Sequence, residues 1–293
     1  MDIKNFDNFK VSTKTFIVHT NLEINIEDIF NKKILPITSY VVVQKKRGRK
    51  KKLQEENPNK DIQSGSIIRV QYKRDHQGVI LKPKKTDGFF RNAMTIVMVI
   101  DDKHLNFKTS NNGKFQITGC KTDDQAEKCI FYFWNYIKDH KDIYKLSAYP
   151  YLKACYEPVM SNIDFSLGFQ VNREVLDIYI NTNTTFTSLL ETTFGYTGVN
   201  IKMPLTEHFS KLKIKCIEYT GEEIKNTFNS YDEFLLTFKS KNKNIKRYNT
   251  FLVFQSGKII MSGKAPPFME SAYYEFYKIV ESCLHLIKEN IED

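Results

Sequence analysis

Two stretches, Gly113-Lys114-Phe115-Gln116-Ile117-Thr118-Gly119-Cys120-Lys121 and Gly257-Lys258-Ile259-Ile260-Met261-Ser262-Gly263-Lys264-Ala265, decide how this chain is read. Each opens on Gly-Lys, alternates apolar with polar residues and reaches a second glycine six positions on; the two lie 144 residues apart. Alternation of this kind predicts a strand with one buried face, entered from a turn. Behind each strand the period changes from two to three or four. Ala126, Cys129, Ile130, Phe133, Trp134 and Ile137 form one helical stripe, and Ala272, Tyr273, Phe276, Val280, Cys283 and Ile287 form the other. A strand followed by an amphipathic helix, made twice at one spacing, is the signature of an internal repeat.

Working outward, each half repeats a similar order. An opening strand is expected at 15–22 and at 159–168, and a helix at 26–30 and at 187–194. Further strands are expected at 66–72, 90–100 and 104–109 in the first half, and at 211–219, 234–239 and 250–255 in the second. Asp101-Asp102-Lys103 and the segment 241–244 read as matching polar turns. The fold class is α+β, with an N-terminal repeat at 11–148 and a C-terminal repeat at 149–293. Each repeat leaves one sheet face bare unless a ligand covers it. The segment 44–61 has no counterpart in the second half and reads as an inserted loop.

The chain has 293 residues with 41% hydrophobic and 13% aromatic content, enough to bury a core. Lys and Arg outnumber Asp and Glu 44 to 34, and the excess is one-sided: residues 1–148 carry 28 basic and 17 acidic side chains, residues 149–293 carry 16 and 17. Polyanionic partners follow from that balance. Lys45, Lys46, Arg47, Arg49, Lys50, Lys51 and Lys52 make up most of the surplus, as a solvated loop, a nuclear-localisation signal or a DNA-binding tail. Five scattered cysteines with no Cys-x-x-Cys pair point to a reduced, intracellular protein without a metal site. A polar N-terminus and the absence of a long apolar run predict a protein that is neither secreted nor membrane-bound. The acidic pairs Asp101-Asp102 and Asp123-Asp124 suit a turn and a helix start. No P-loop or nucleophile elbow is present, so neither an enzyme, a cofactor nor a small-molecule substrate is expected.

The duplicated Ser/Asn-Gly-Lys, apolar strand, Thr/Ser-Gly step and amphipathic helix resemble the TATA-box-binding protein family. The nearest stretch is Phe254-Gln255-Ser256-Gly257-Lys258-Ile259-Ile260-Met261-Ser262-Gly263, and the resemblance runs from about Phe16 to Ile287. The Asn-, Lys- and Ile-rich composition and the inserted hairpins resemble the divergent forms of large cytoplasmic DNA viruses. The resemblance implies a two-repeat saddle, a curved antiparallel sheet with helices on its convex face, whose concave face binds and bends AT-rich promoter DNA through the minor groove. It implies transcription initiation with a transcription-factor-IIB-like protein and RNA polymerase, in the nucleus or a cytoplasmic viral factory.

Carried onto this sequence, the resemblance makes Asn21 and Asn162 the asparagines that meet the groove floor, with Thr118 and Ser262 beside them. Lys108, Lys114, Lys121, Lys258 and Lys264 face phosphates, and Leu252 and Ile260 line the apolar surface. The wedges are Phe90 and Phe234, with Phe89 as an alternative to Phe90, and Phe254 is the second wedge of the C-terminal repeat. Where the first repeat should hold its second wedge stands Ser110, unless a bulge at Asn111-Asn112 restores Phe107. Asn106, Lys108, Ser110 and Gln116 give the first repeat a polar face, against an apolar one in the second. A missing wedge favours a protein-interaction adaptor as the alternative function, and the basic insertion allows nonspecific DNA packaging as a third.

Overall fold

The structure is a computed structural model that describes residues 3–42, 58–80, 90–191, 197–205, 208–221, 223–238 and 247–289. In chain order the first elements are β1 (Val11–Thr20), β2 (Leu22–Ile24), α1 (Ile26–Asn31), β3 (Ile67–Tyr72), β4 (Asp75–Gly78), β5 (Met94–Ile100), β6 (Lys103–Thr109), β7 (Lys114–Cys120) and α2 (Asp123–Ile137). There follow β8 (Tyr144–Leu146), β9 (Leu152–Ser166), α3 (Arg173–Asn183), β10 (Thr187–Glu191), β11 (Gly198–Pro204), β12 (Lys213–Tyr219) and β13 (Ile224–Ser230). The last are α4 (Tyr231–Thr237), β14 (Tyr248–Phe254), β15 (Lys258–Gly263), α5 (Glu270–Ser282) and α6 (Leu284–Ile287). The class is α+β, as expected from sequence, and the ladders with a described register between main strands are antiparallel.

One compact unit comprises Phe16–Glu157 and Lys215–Phe228. Its strands run β1-β7-β6-β5-β3-β4. Helix α2 covers one side, where Phe133 meets Phe107 and Phe115 edge-on at 6.0 and 5.2 Å between ring centroids. Phe107, Phe115, Ile96, Met98, Ile117 and Val18 are buried with them. The bulge that would have turned Phe107 outward is therefore not formed. Asp101 and Asp102, at φ 47° and 60°, make the tight β5–β6 turn, whose left-handed backbone suits the twist of a two-residue hairpin.

The other unit comprises Met1–Thr15, Pro158–Ile214 and Asn229–Asp293, with strand order β10-β11-β14-β15-β9. Here α5 covers the sheet and Phe276 stacks on Phe251 at 4.4 Å and 10°. Both β1 and β9 contribute residues to each unit. The first residues of β9 pair with β12 inside the unit built on residues 16–157.

The two units repeat the same local devices. Asn25 caps α1 by accepting the Asp28 amide at 3.1 Å, and Asn172 caps α3 by accepting the Val175 amide at 3.1 Å. These caps lie 147 residues apart and set the true alignment of the opening strands. Gly113 and Gly257 both adopt left-handed φ, 66° and 73°, and a Cβ on them would come within 2.1 Å of the Leu22 carbonyl oxygen and 2.0 Å of that of Phe169. The Gly-Lys pair is thus a steric requirement of two equivalent turns.

Three expectations are corrected. The strand expected at 234–239 is not formed over its described residues, 234–238: Phe234 lies in α4, which starts at a capping box in which Ser230 accepts the Glu233 amide at 3.2 Å and Glu233 accepts the Ser230 amide at 2.8 Å. No helix starts at residue 187; Thr187–Glu191 is strand β10, and the helix of that region is α3, before it. The cysteines are not all thiols, because Cys155 and Cys216 stand directly opposite on β9 and β12 with Cα atoms 4.0 Å apart and are joined by a disulfide. The other three, Cys120, Cys129 and Cys283, are buried outside that bond. The turn expected at 241–244 lies outside the described residues.

Candidate nucleic-acid interface

Among the described residues no helix covers the opposite face in either unit, and strand alternation decides which side chains stand on it. In the first unit, register aligns Gln71, Thr95, Lys108 and Gln116 in one row and Arg69, Val97, Asn106 and Thr118 in the next. The face is polar. Thr118 Oγ1 donates to the Asn106 carbonyl at 3.1 Å, and Lys114 is exposed at the strand entrance. Phe90 is 58% exposed, with the Lys108 ammonium 3.6 Å from its ring centroid, so this candidate wedge stands beside a cation of the same face. Ser110 Oγ donates to Asn112 Oδ1 at 2.6 Å and belongs to the β6–β7 turn. Lys121 is exposed just before α2, its amide donating to Gln125 Oε1 at 2.8 Å.

Part of this face is covered. Tyr40, Ile62 and Val79 pack on Ile68, Val97 and Val99. Tyr40 also meets His104 edge-on at 4.8 Å, and partial burial holds that imidazole below the usual histidine range. The Asn59 carboxamide clamps Val41, accepting its amide and donating to its carbonyl, each at 2.9 Å. The described ends of the basic insertion are therefore anchored on the helix-free side. Lys45, Lys46, Arg47, Arg49, Lys50, Lys51, Lys52 and Phe89 lie outside the described residues.

In the second unit the rows are Leu189, Asn200, Leu252, Ile260, Asp164 and Thr187, Lys202, Thr250, Ser262, Asn162. Leu252, Ile260, Ser262 and Asn162 are half-buried, and Leu189 is exposed. Phe254, half-buried, stands opposite Gly198 at the end of β14. With Lys258, Ile260, Asp164, Ser166 and Thr197 it lines an open groove of about 830 Å³. The Asn162 Oδ1 has no hydrogen-bond partner among the described residues.

Three carried-over residues stand elsewhere than expected. Phe234 is fully buried, stacked on Tyr231 at 6.0 Å and tilted against Phe238 at 5.3 Å, and no groove can reach its ring. Asn21 lies beyond the end of β1. Its carboxamide donates to the Ser147 and Tyr151 carbonyls at 2.9 and 3.0 Å and accepts the Lys153 amide at 2.8 Å, which spends it on backbone. At the 147-residue spacing Asn162 corresponds to Thr15, not to Asn21. Lys264 points into an aromatic pair, 4.5 Å from the Tyr231 ring and 4.9 Å from that of Phe209, with its ammonium donating to Tyr231 Oη at 3.2 Å.

Sequence reading missed Arg69, Gln71 and Thr95 in one unit and Leu189, Asn200, Lys202 and Asp164 in the other. Thr95 pairs with Lys108 as Asn200 pairs with Leu252, which makes β11 the counterpart of β5 at a spacing of 105 residues. At that spacing Phe89 corresponds in sequence to Phe194, which also lies outside the described residues. The alternation in Gly198–Pro204 carried the signal, hidden by the long insertion before β14.

The class that emerges is an α+β protein of two units with matching strand order, each with antiparallel strands backed by a helix on one side. No protein-family model matches the chain. It is 24% identical over 212 residues to the uncharacterized protein 335L of Invertebrate iridescent virus 6, which covers 67% of this chain and 62% of that protein. The chain thus spans less than two thirds of that curated relative. Among solved structures it is similar to Methanococcus jannaschii TBP over 94% of this chain and 98% of that one, at a TM-score of 0.44 and 11% identity. No helix among the described residues is long and apolar enough to cross a membrane.

Proposed function

We propose that the chain is a DNA-binding protein of the TATA-box-binding type, which binds duplex DNA through the helix-free sheet face of each unit, in the minor groove of AT-rich sites, and acts in transcription initiation without catalysis. The observation that carries this reading is the open face of the second unit: Leu189, Leu252, Ile260 and Phe254 form an apolar surface, with Lys258, Lys202 and the hydroxyls of Thr250 and Ser262 around it. An apolar floor with cationic edges suits a groove whose walls are sugar and whose rims are phosphate. Lys108, Lys114 and Thr118 offer a more polar counterpart. The iridescent-virus relative supports a viral setting, in which a transcription-factor-IIB-like protein and RNA polymerase are the partners.

A titration of an AT-rich against a GC-rich duplex at two salt concentrations tests the reading. Binding at least tenfold tighter to the AT-rich duplex is expected, weakening with salt. Equal, weak binding to both would favour the second reading, an adaptor with the same fold and no specific DNA binding. Gln116 and Ser110, polar where apolar contact is wanted, are the features that speak for it.

A further inference from the structure

Asp164 ends the row of the second unit that carries Leu189, Leu252 and Ile260. It stands on β9 directly opposite Ile260, beyond which lie Leu252, Asn200 and Leu189, and between Ile163 and Phe165, which point into the core. The residue is exposed, lines the groove with Phe254 and Lys258, and its carboxylate has no hydrogen bond or ion pair among the described residues. At the spacing set by the Asn25 and Asn172 helix caps, the corresponding residue of the first unit is Ile17, so the charge is one-sided.

Resting on the DNA-binding reading above, we propose that Asp164 is a specificity residue that accepts a hydrogen bond from the exocyclic amino group of one guanine in the minor groove. Laying the sheet on DNA strips water from this carboxylate, and a buried charge without a donor is costly. The floor over A·T and T·A pairs presents only acceptors, adenine N3 and thymine O2, which repel a carboxylate. Guanine N2 is the one donor in that groove. An acceptor-only side chain at this place therefore penalises A·T beneath it and favours G·C, and its absence at Ile17 gives the site a direction.

The test uses the full chain and AT-rich duplexes that differ only in a single G·C pair moved along the site, each repeated with inosine in place of guanine. Inosine keeps the major-groove edge and removes only the N2 amino group. At one position G·C should bind about tenfold tighter than A·T, and I·C should fall back to the A·T level. Asp164→Asn, which can donate to the A·T acceptors as well as accept from guanine N2, should narrow that difference. Asp164→Val should tighten binding to the all-A·T duplex. Equal binding of G·C and I·C at every position, or discrimination that survives in Asp164→Val, overturns the proposal while leaving the DNA-binding reading in place. If no duplex binds, both fall.

Discussion

A buried phenylalanine and a half-buried one give opposite expectations on truncation. Phe234 packs between Tyr231 and Phe238 with no exposed surface, so Phe234→Ala should lower stability by about 3–5 kcal/mol in a denaturant titration. Its DNA affinity, measured where the variant is folded, should be unchanged. Phe254→Ala, on the groove, should instead leave stability nearly intact and weaken DNA binding. Ser110→Ala should do neither beyond loosening one turn. The repeat alone could not separate these two phenylalanines. Phe234 falls 144 residues after Phe90, but Ser230-Tyr231-Asp232-Glu233 before it is a capping box and starts a helix. The resemblance implies Asn21 as an opening-strand asparagine, whereas it follows the end of β1 and the carbonyls that hold its carboxamide come from residues 147 and 151.

For the elements, matching spacings hold only between insertions. The caps of α1 and α3 lie 147 residues apart and β5 and β11 lie 105 apart, whereas β7 and β15 keep the 144 that the Gly-Lys pair displays. A single offset therefore locates β6, β7, α2 and their partners and misplaces everything upstream of the second-half insertion. The segment of β10 reads as a helix in sequence because a short apolar run does not distinguish the two periods. The alternation in β7 and β15 was legible, since Gly113 and Gly257 fix the turn and the pleat does the rest. Either glycine changed to alanine should destabilise its own unit by more than the usual helix or strand cost, because the added Cβ meets a carbonyl oxygen.

The packing that covers part of the first unit's helix-free face should respond to pH. Burial lowers the pKa of His104, so the unfolded chain takes up the proton first. Its contribution to stability is present above the ordinary histidine pKa and disappears as pH falls through the lower folded value. Comparing wild type with His104→Gln between about pH 7.5 and 5.5 should show a steeper decline in wild type. Parallel curves would mean that the Tyr40–His104 pair does not respond to protonation.

At the scale of the molecule, the surplus positive charge sits in residues 1–148, much of it in the insertion whose described ends rest on the helix-free side. Deleting residues 45–52 should flatten the salt dependence of DNA binding by about 0.9 in log–log slope for each phosphate no longer neutralised, and leave the preference for AT-rich sites. A preference that vanished with the loop would assign sequence reading to the loop and not to the sheet.

The helix-free sheet faces should both hold and deform DNA, with the apolar second unit dominant. End-to-end fluorescence transfer on an AT-rich duplex, with the site in both orientations, measures this most directly. Wild type should bring the ends together asymmetrically, Phe254→Ala should reduce the bend and the affinity, and Ser110→Phe should increase the bend, because a wedge replaces broken base stacking with apolar packing at a cost of a few kcal/mol per opened step. A duplex that stays straight when bound, or a bend that is symmetric and indifferent to Phe254→Ala, would contradict the account.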